Sequence, residues 1–461
     1  METDQPSDPT LCRLAAIAIS KHLWKYSHLG KHLESYLDDD NWEEHLPLAV
    51  SIAMDDFEVP EPAKEELQFA VGSMGYNICL FLLEIVKSYM CLAPEDSLLK
   101  CELIDCMNHV SWTTEGSLDR AETMRSLYFA GVLRENFATR EELCDYCLED
   151  CITDLWPKVE DLTQYGEWSL RRGTACRSEF TVILAAYWTA RMRDDVENAI
   201  DVVFRELPDQ FYDEAFSLEE NMVINAFLRE QYWAVKYFWG LLNEQERVRT
   251  ITKICENIVS DDPNAQGYKD LFFRERRIKG DLLVFFLQQL SRYGFDDVRA
   301  KILGSAFVLL QLLEWPYDNS FMKTLRESWI HHDSIDYGPI VERIFLNVCN
   351  CKEYQFVEHD VKYHRIFCRL WEINPQNLKS SIDYKESLSN LWESGNVALL
   401  NLMLRDRELK DRRGEFLKEL ATVYGYSRPR KSFFIKFLGV VFDSAEERTQ
   451  FCRQIAAVER Q

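Results

Sequence analysis

The sequence predicts an all-α protein, and three observations support this. Apolar residues recur at helical spacing along most of the 461 residues. Gly and Pro number only 17 and 13, so the chain has few of the tight turns that connect strands in sandwiches and barrels. No alternating apolar run is bounded by the Asn-Gly or Asp-Gly pairs typical of a hairpin. Hydrophobic residues, at 47%, are sufficient to build a core, which excludes general disorder.

Two helices are predicted within the first ninety or so residues. The first has one continuous helical face, formed by Leu11, Leu14, Ala15, Ala18, Ile19 and His22. The second covers residues 61–91, and Gly72 and Gly75 mark a place where it could break. Its apolar part, residues 78–89, contains Glu84 and Lys87. That stretch is too short and too charged to span a bilayer, so it predicts a buried helix.

Helix starts recur along the rest of the chain. Ser117 precedes Leu118 and Asp119 and predicts a helix that ends near Phe129. In a capping box, a Ser or Thr side chain binds the backbone N–H three residues on, and a Glu there binds back. Three pairs match this pattern: Thr139 with Glu142, Ser217 with Glu220, and Ser444 with Glu447.

Short turns between apolar helices predict helix pairs. Turn formers or polar residues stand near positions 131, 194, 231, 294 and 395, and the last turn is residues 394–396. The positions are separated by 63, 37, 63 and 101 residues, close to multiples of about 33. This regularity predicts an α-solenoid of stacked helix pairs, divided into an acidic N-terminal helical region (residues 1–170) and a helical repeat region (171–461). A further candidate boundary is the polar loop at residues 260–267.

Three of these segments resemble the start of the second helix of an ankyrin repeat. They are residues 231–237, 294–298 and 395–400, each a turn residue followed by an aliphatic or aromatic run. The resemblance implies stacked helix pairs that bind proteins. The family's Thr-Pro-Leu-His signature is absent, and Pro47 with Leu48 is the nearest remnant. The predicted fold is therefore ankyrin-like without clear β-turn fingers.

A second resemblance covers two short segments. Residues 112–119 and residues 144–150, with Leu155 and Trp156 after them, are similar to an uncharacterised arthropod family of helical proteins. This resemblance implies a helical fold and brings no activity with it.

Charge and cysteine content restrict the partners and the compartment. The net charge is −24, and residues 1–160 hold 12 Lys and Arg against 31 Asp and Glu. Such an acidic body repels phosphate backbones, so we expect a protein partner with a basic surface and no nucleic acid. The N-terminus lacks a basic start followed by an apolar run, and no membrane segment is predicted. The 14 scattered Cys favour reduced thiols and a cytoplasmic location.

The densest cysteine cluster has two interpretations. Cys144, Cys147 and Cys151 have the spacing of one helical stripe, which favours buried structural thiols. With Cys101, Cys106 and His109 they would instead form a zinc site. Weaker metal candidates are Cys349, Cys351, His331, His332, His359 and His364. Their spacing does not bring two ligands to one helical face, so we assign no metal residues.

The charged and aromatic clusters each have a structural explanation and a functional one. The carboxylates at residues 38–40 and 55–56 predict solvated surfaces. The basic clusters at residues 274–279 and 405–413, continued at 428–431, contain interleaved acids and favour intrahelical ion pairs over an acidic partner or anionic lipid. Residues 232–239 carry five aromatic side chains. Packing between helices explains most of them, and an exposed remnant would be a binding hot spot.

No catalytic motif accompanies these clusters. The sequence contains no Gly-x-Ser-x-Gly, no phosphate-binding Gly-rich loop and no His-Glu-x-x-His. We therefore assign no catalytic or cofactor-binding residues and expect no cofactor. The favoured hypothesis is a non-catalytic protein interaction scaffold. The alternatives are an enzyme whose site is assembled from distant helices and a ubiquitin-ligase adaptor.

Overall fold

The structure is a computed structural model. It describes residues 10–26, 58–90, 106–159, 179–194, 212–260, 280–313, 315–331, 338–349, 357–373 and 397–406, with single residues and stretches of two or three residues between and after them. The chain forms two compact units, Met1–Ile335 and Asp336–Gln461. The boundary predicted at residue 171, and the loop predicted at residues 260–267 apart from Ser260, lie outside the described residues, so that division stays a prediction.

The first unit is built from helices, and the all-α prediction is confirmed. In chain order they are α1 Leu11–Tyr26, α2 Glu61–Met90, α3 Arg120–Phe129, α4 Phe137–Asp145, α5 Glu149–Leu155, α6 Glu179–Met192, α7 Leu218–Leu228, α8 Tyr232–Leu241, α9 Glu244–Val259, α10 Gly280–Arg292, α11 Asp296–Leu303, α12 Ala306–Gln311 and α13 Asp318–His331. Among the described residues there is no β-strand, and β pairing is limited to one bridge between Trp112 and Leu118.

Helices α1 and α2 form an intimate pair, and two expectations about them are wrong. Helix α2 runs unbroken through its glycines. Gly75 allows close packing and does not mark a break, because a Cβ there would clash with the Trp24 ring. The Trp24 indole N–H donates to the Val71 carbonyl at 2.9 Å. The apolar face predicted for α1 is largely exposed, with Leu11 at 83%, because the opposite face, which includes the buried Arg13, packs on α2.

Four helices of the first unit end in the same way. In each, a residue with positive φ follows the helix, and two backbone hydrogen bonds close the turn behind it. At α3, for example, the Gly131 N–H donates to Tyr128 and the Val132 N–H donates to Leu127. The four residues with positive φ are Gly131, Cys147, Glu230 and Gly294. The turns predicted near 131, 231 and 294 are confirmed as helix ends, and Asp194, with φ 58°, ends α6 in a related way.

Three of these ends lead directly into the next helix. After Cys147, Glu230 and Gly294 a single residue precedes α5, α8 and α11 respectively. The links from α8 to α9 and from α11 to α12 have only two residues each, too few for a β-turn finger. The finger-like element in the described part of the chain is the turn at residues 112–118. Helix pairs therefore recur in the first unit, and α7 packs on both α8 and α9.

One helix begins at its predicted cap residue, and two begin at a cap residue other than the predicted one. Ser217 and Glu220 form the predicted capping box of α7. At α4 the cap is Asn136, whose side chain accepts from the Thr139 N–H, so Thr139 is the third residue of the helix and not its cap. At α3 the cap is Asp119, two residues after the predicted Ser117.

The second unit contains α14 (Gly338–Cys349), α15 (Val357–Ile373) and α16 (Val397–Leu404). Helix α15 packs on both of the others and buries Phe367 and Trp371. Lys379 pairs with Asp406 at 2.5 Å, and its Nζ lies 5.1 Å from the Trp371 ring centroid. This unit is helical as well.

One described helix segment is long and apolar enough to cross a membrane by length and composition. It is Glu66–Ile85, within α2, and 61% of its most apolar window is buried inside the protein. A buried core helix of a folded domain passes the same criterion.

Candidate functional site

The aromatic helix α8 carries the candidate site. Its inner residues Val235, Phe238 and Trp239 are buried, as packing between helices requires. Tyr232 and Trp233, at its first turn, stay partly exposed, and their ring centroids lie 4.8 Å apart with the planes at 63°. The hot-spot hypothesis thus narrows to these two rings, because aromatic side chains left at a surface are favoured contacts in protein recognition.

Neighbouring helices fix the two rings. The Trp233 ring lies 6.2 Å from that of Tyr146, the residue that caps the end of α4. The Tyr232 ring lies 6.4 Å from that of Phe285 on α10. The first contact is tilted and the second is edge-to-face, and both hold a ring in place while leaving part of it open. The pair is therefore preorganised before any ligand arrives.

A hydrogen-bond network holds the far end of α8. The Glu149 carboxylate on α5 accepts from Arg191 on α6 at 2.6 Å and from the Tyr237 hydroxyl at 2.8 Å. Burial opposes ionisation of Glu149, but the hydrogen bonds from Arg191 and Tyr237 outweigh it and lower the pKa of this carboxyl group. The network ties α5, α6 and α8 together and so fixes the helix that presents the rings.

Two side chains that are far from α8 in the sequence, Asp281 and Tyr317, lie near Tyr232. Asp281 opens α10, one helical turn before Phe285, and is exposed. The Tyr317 hydroxyl donates a hydrogen bond to Asp281 Oδ1. Gly280 makes this approach possible, because a Cβ there would lie 2.5 Å from the Tyr317 ring. Asp281 precedes Phe285, whose ring contacts Tyr232, by one helical turn, and the negative charge of Asp281 acts on Tyr232.

The turn at residues 112–118 adds more negative charge. It is closed by the Gly116 N–H donating to Thr113, and Gly116 has φ +85°. The Trp315 indole N–H donates to the Gly116 carbonyl at 3.0 Å, so the turn is attached to the loop that carries Tyr317. Glu115 is exposed at its tip, and the Asp119 carboxylate caps α3.

We call Tyr232, Trp233, Tyr317, Asp281, Glu115 and Asp119 the aromatic–acidic patch. Burial, and then the negative charges of Asp281, Asp119 and Glu115, raise the pKa of Tyr232 to about 12. The same two causes, burial first and then Asp281, raise the pKa of Tyr317. Both hydroxyls therefore stay protonated at neutral pH, and the charge of the patch comes from its carboxylates.

Two lysines lie near the patch and moderate its charge. Lys21 donates to the Thr113 carbonyl at 3.1 Å, and burial lowers its pKa although Glu115 opposes the shift. Lys236 lies over the two rings of α8. The wider surroundings remain acidic, since residues 1–335 hold 33 Lys and Arg against 59 Asp and Glu, a net charge of −26. The electrostatics of the first unit therefore favour a cationic ligand.

A buried arginine supports the patch from beneath. Arg13 on α1 is 2% exposed and pairs with Glu66 at 2.8 Å and with Asp318 at 3.0 Å. Its guanidinium carbon lies 3.6 Å from the Trp315 ring centroid. Because Trp315 and Asp318 flank Tyr317, this contact fixes the loop that brings Tyr317 to Asp281.

The cysteine cluster is buried, as the favoured interpretation predicted. Cys144, Cys147 and Cys151 are at most 6% exposed. They do not form a stripe on one helix: Cys144 is on α4, Cys147 is in the turn and Cys151 is on α5. Burial raises the pKa of Cys151 to about 12 and raises that of Cys144 as well. Within the described ranges, no three His, Cys, Asp or Glu side chains converge as a metal site would need.

Several sequence candidates have no described side chain. These are Cys101, Cys349, Cys351, His331, His332, His359 and His364, the carboxylates at residues 38–40 and 55–56, and both basic clusters apart from Arg405 and Asp406. Cys106 is buried, and His109 Nδ1 lies 3.5 Å from the Ser126 hydroxyl. Predictions on the undescribed side chains stay predictions.

Sequence reasoning missed most of the patch. Asp281 and Tyr317 were not singled out, because their neighbourhood depends on contacts across 36 residues of chain. Glu115 and Asp119 stood within a noted motif but without a role. One signal was available: Trp315, Pro316 and Tyr317 follow one another before a helix, and aromatic residues in a short loop usually pack on something.

The comparisons with known proteins give no family. No protein-family model matches the chain, and no curated protein or solved structure matches it either.

Proposed function

We propose that the chain is a non-catalytic interaction scaffold whose first unit binds a basic surface of a partner protein. The observation that carries the proposal is the aromatic–acidic patch: two partly exposed rings on α8, of which Tyr232 lies near the carboxylates of Asp281, Asp119 and Glu115. Aromatic anchors surrounded by complementary charge are the usual centres of protein recognition. The net charge of −26 on residues 1–335 would steer a basic partner towards this unit.

The scaffold hypothesis includes an ankyrin-like arrangement of helix pairs. Its support is the recurrence of one junction, a helix end with positive φ followed at once by a second helix, at Cys147, Glu230 and Gly294. Stacked pairs of this kind present continuous surfaces for binding. We expect such a scaffold to work in the cytoplasm without a cofactor.

Photo-cross-linking from within the patch tests the proposal. A photoreactive phenylalanine analogue replaces the exposed Lys236 beside the two rings, in the full-length chain expressed in native cells. The matched control carries the analogue at Glu256, an exposed position on α9. We expect position 236 to capture a small set of lysine- and arginine-rich proteins that position 256 does not capture.

The comparison of positions 236 and 256 shows whether capture is specific to the patch. The same proteins captured at both positions, or acidic proteins captured at position 236, would contradict the proposal. Combining the analogue at 236 with Trp233→Leu should remove the captured proteins, because this variant deletes the ring that anchors them. The enzyme and ubiquitin-ligase adaptor hypotheses stay alternative predictions, and no observation on the described residues favours either.

A further inference from the structure

The rings of Tyr232 and Trp233 already hold a lysine ammonium group of their own chain. Lys236 Nζ lies 5.9 Å from the Tyr232 ring centroid and 5.5 Å from that of Trp233. Lys236 is exposed and follows the rings by one helical turn. Within the described ranges, no hydrogen-bond or ion-pair partner holds its ammonium group. An ammonium group therefore fits beside both rings at once, and the rings attract it.

We propose that Tyr232, Trp233 and Asp281 form a binding site for a lysine side chain of the partner protein. The inference rests on the proposed function and names the group that the scaffold recognises. The two rings would attract the cation, and Asp281 would accept a hydrogen bond from it. Lys236 is the internal stand-in for this ligand at the two rings.

The carboxylate of Asp281 is suited to this role. Its Oδ1 accepts from the Tyr317 hydroxyl, which orients the carboxylate group. For Oδ2 we find no donor in the part of the chain that the structure describes. An ammonium N–H would therefore gain a charge-assisted hydrogen bond as well as the contact with the rings.

This geometry sets an order of ligand affinity. Lysine keeps three N–H donors for Asp281, whereas trimethyl-lysine keeps the charge and has none. Norleucine keeps the aliphatic stem and has no charge. We therefore expect lysine to bind more tightly than trimethyl-lysine, and trimethyl-lysine more tightly than norleucine.

Lys236 competes with the partner's lysine for the same rings. Replacing it by Met keeps a flexible apolar side chain and removes the competing cation. The Lys236→Met variant should therefore bind a lysine ligand about threefold more tightly. A residue with a merely structural role would not produce a gain in affinity.

Fluorescence anisotropy with short labelled peptides tests the site in the full-length chain. The probes are four peptides that differ only at a central position, which is lysine, trimethyl-lysine, arginine or norleucine. We expect Tyr232→Leu and Asp281→Asn each to weaken lysine-peptide binding about tenfold. Tyr232→Phe keeps the ring and should keep the affinity, and Glu256→Gln removes an exposed charge elsewhere on the unit and should change nothing. Unchanged melting temperatures show that the variants fold.

Several results would overturn the lysine site. They are equal binding of the norleucine peptide, tighter binding of the arginine or trimethyl-lysine peptide, an equal effect of Asp281→Asn and Glu256→Gln, and weaker binding by Lys236→Met. The proposed function is tested separately. If position 236 captures basic proteins while the peptides fail, the scaffold stands and the lysine site falls. If the peptides bind but no basic protein is captured, the rings bind lysine but the proposed role in binding a partner protein falls.

Discussion

The guanidinium group of Arg13 lies 3.6 Å from the ring centroid of Trp315, although 302 residues separate them in the sequence. This contact joins the first helix of the chain to the loop before α13. The same arginine pairs with Glu66 and Asp318, so one buried side chain ties α1, α2 and the start of α13 together. In a linear stack each repeat contacts only its neighbours, so this connection goes beyond simple stacking.

Replacing Arg13 should destabilise the first unit strongly. The Arg13→Met variant keeps much of the aliphatic volume but leaves Glu66 and Asp318 without their cation, and breaking a buried pair in this way costs about 3–5 kcal/mol. The exposed Lys25→Met on the same helix is the matched control and should cost about 0.5 kcal/mol or less. Urea unfolding measures both. Equal losses in the two variants would show that the buried pairing contributes nothing.

Two glycines with similar backbone conformations allow the cost of backbone strain to be measured apart from the cost of a steric clash. Gly116 has φ +85°, and a Cβ there would come within 3.0 Å of both Ile17 and Trp315. Gly131 has φ +72° and open space around it. We expect Gly131→Ala to cost about 1 kcal/mol from the backbone alone, and Gly116→Ala to cost about 1–2 kcal/mol more. Thermal unfolding of both variants checks the difference, and equal costs would mean that the turn does not pack on Trp315.

Glu220 should make stability depend on pH in the acid range. Its side chain is fully buried and accepts from Arg249 Nε at 2.7 Å. Burial raises its pKa, but the hydrogen bonds from Arg249 and Ser217 outweigh burial and leave the pKa below the ordinary value of 4.5. A carboxyl group with a lowered folded pKa contributes stability that is present above its unfolded pKa and is lost as the pH falls through the folded one.

The matching experiment compares Glu220→Gln with Glu256→Gln. The first variant should lose stability at neutral pH and lose less than the wild type does on acidification below about pH 4.5. The second, which changes an exposed carboxylate, should follow the wild-type curve. Urea unfolding at a series of pH values provides the data. If the unfolding free energy of Glu220→Gln fell with pH as steeply as that of the wild type, this carboxyl group would be ruled out as a source of acid sensitivity.

Thiol reactivity should separate exposed from buried cysteines. Cys12 is exposed on α1, whereas Cys144 and Cys147 are buried, and burial raises the pKa of both buried thiols. Since the thiolate is the reactive form, iodoacetamide at neutral pH should label Cys12 and spare the other two until urea unfolds the chain. Peptide mass spectrometry gives the extent of labelling at each site. Rapid labelling of Cys144 in the native protein would contradict the burial described above.

Local sequence signals predicted local structure well. Ser217 with Glu220 forms a capping box because all of its atoms come from four consecutive residues. The turns near Gly131 and Gly294 were predictable because the αL conformation that closes these helix ends favours glycine. The predicted Thr139 cap failed because the helix begins three residues earlier than predicted: Asn136 accepts from the Thr139 N–H, and Thr139 is already the third helical residue. Competition between neighbouring caps is decided by packing, which the local sequence does not contain.

The candidate site was mostly beyond sequence reasoning. The rings of Tyr232 and Trp233 stood out as an aromatic run, but their exposure depends on what α4 and α10 leave uncovered. The Tyr317 hydroxyl orients Asp281, and Gly280 leaves room for the Tyr317 ring. Tyr317 is held in turn by its neighbour Trp315, which binds Gly116. The contacts of Asp281 with Tyr317 and of Trp315 with Gly116 span tens to hundreds of residues, and helical periodicity carries no information at that range.

The central claim is that the aromatic–acidic patch makes this chain a scaffold for a basic partner. The most direct test is quantitative affinity purification of the full-length chain from native cells, comparing the wild type with the double variant Tyr232→Leu, Trp233→Leu. Phe129→Ala, which removes an exposed ring outside the patch, is the control. We predict that a small set of lysine-rich proteins is retained by the wild type and the control and lost from the double variant at equal protein stability. Retention of the same proteins by all three chains would contradict the claim.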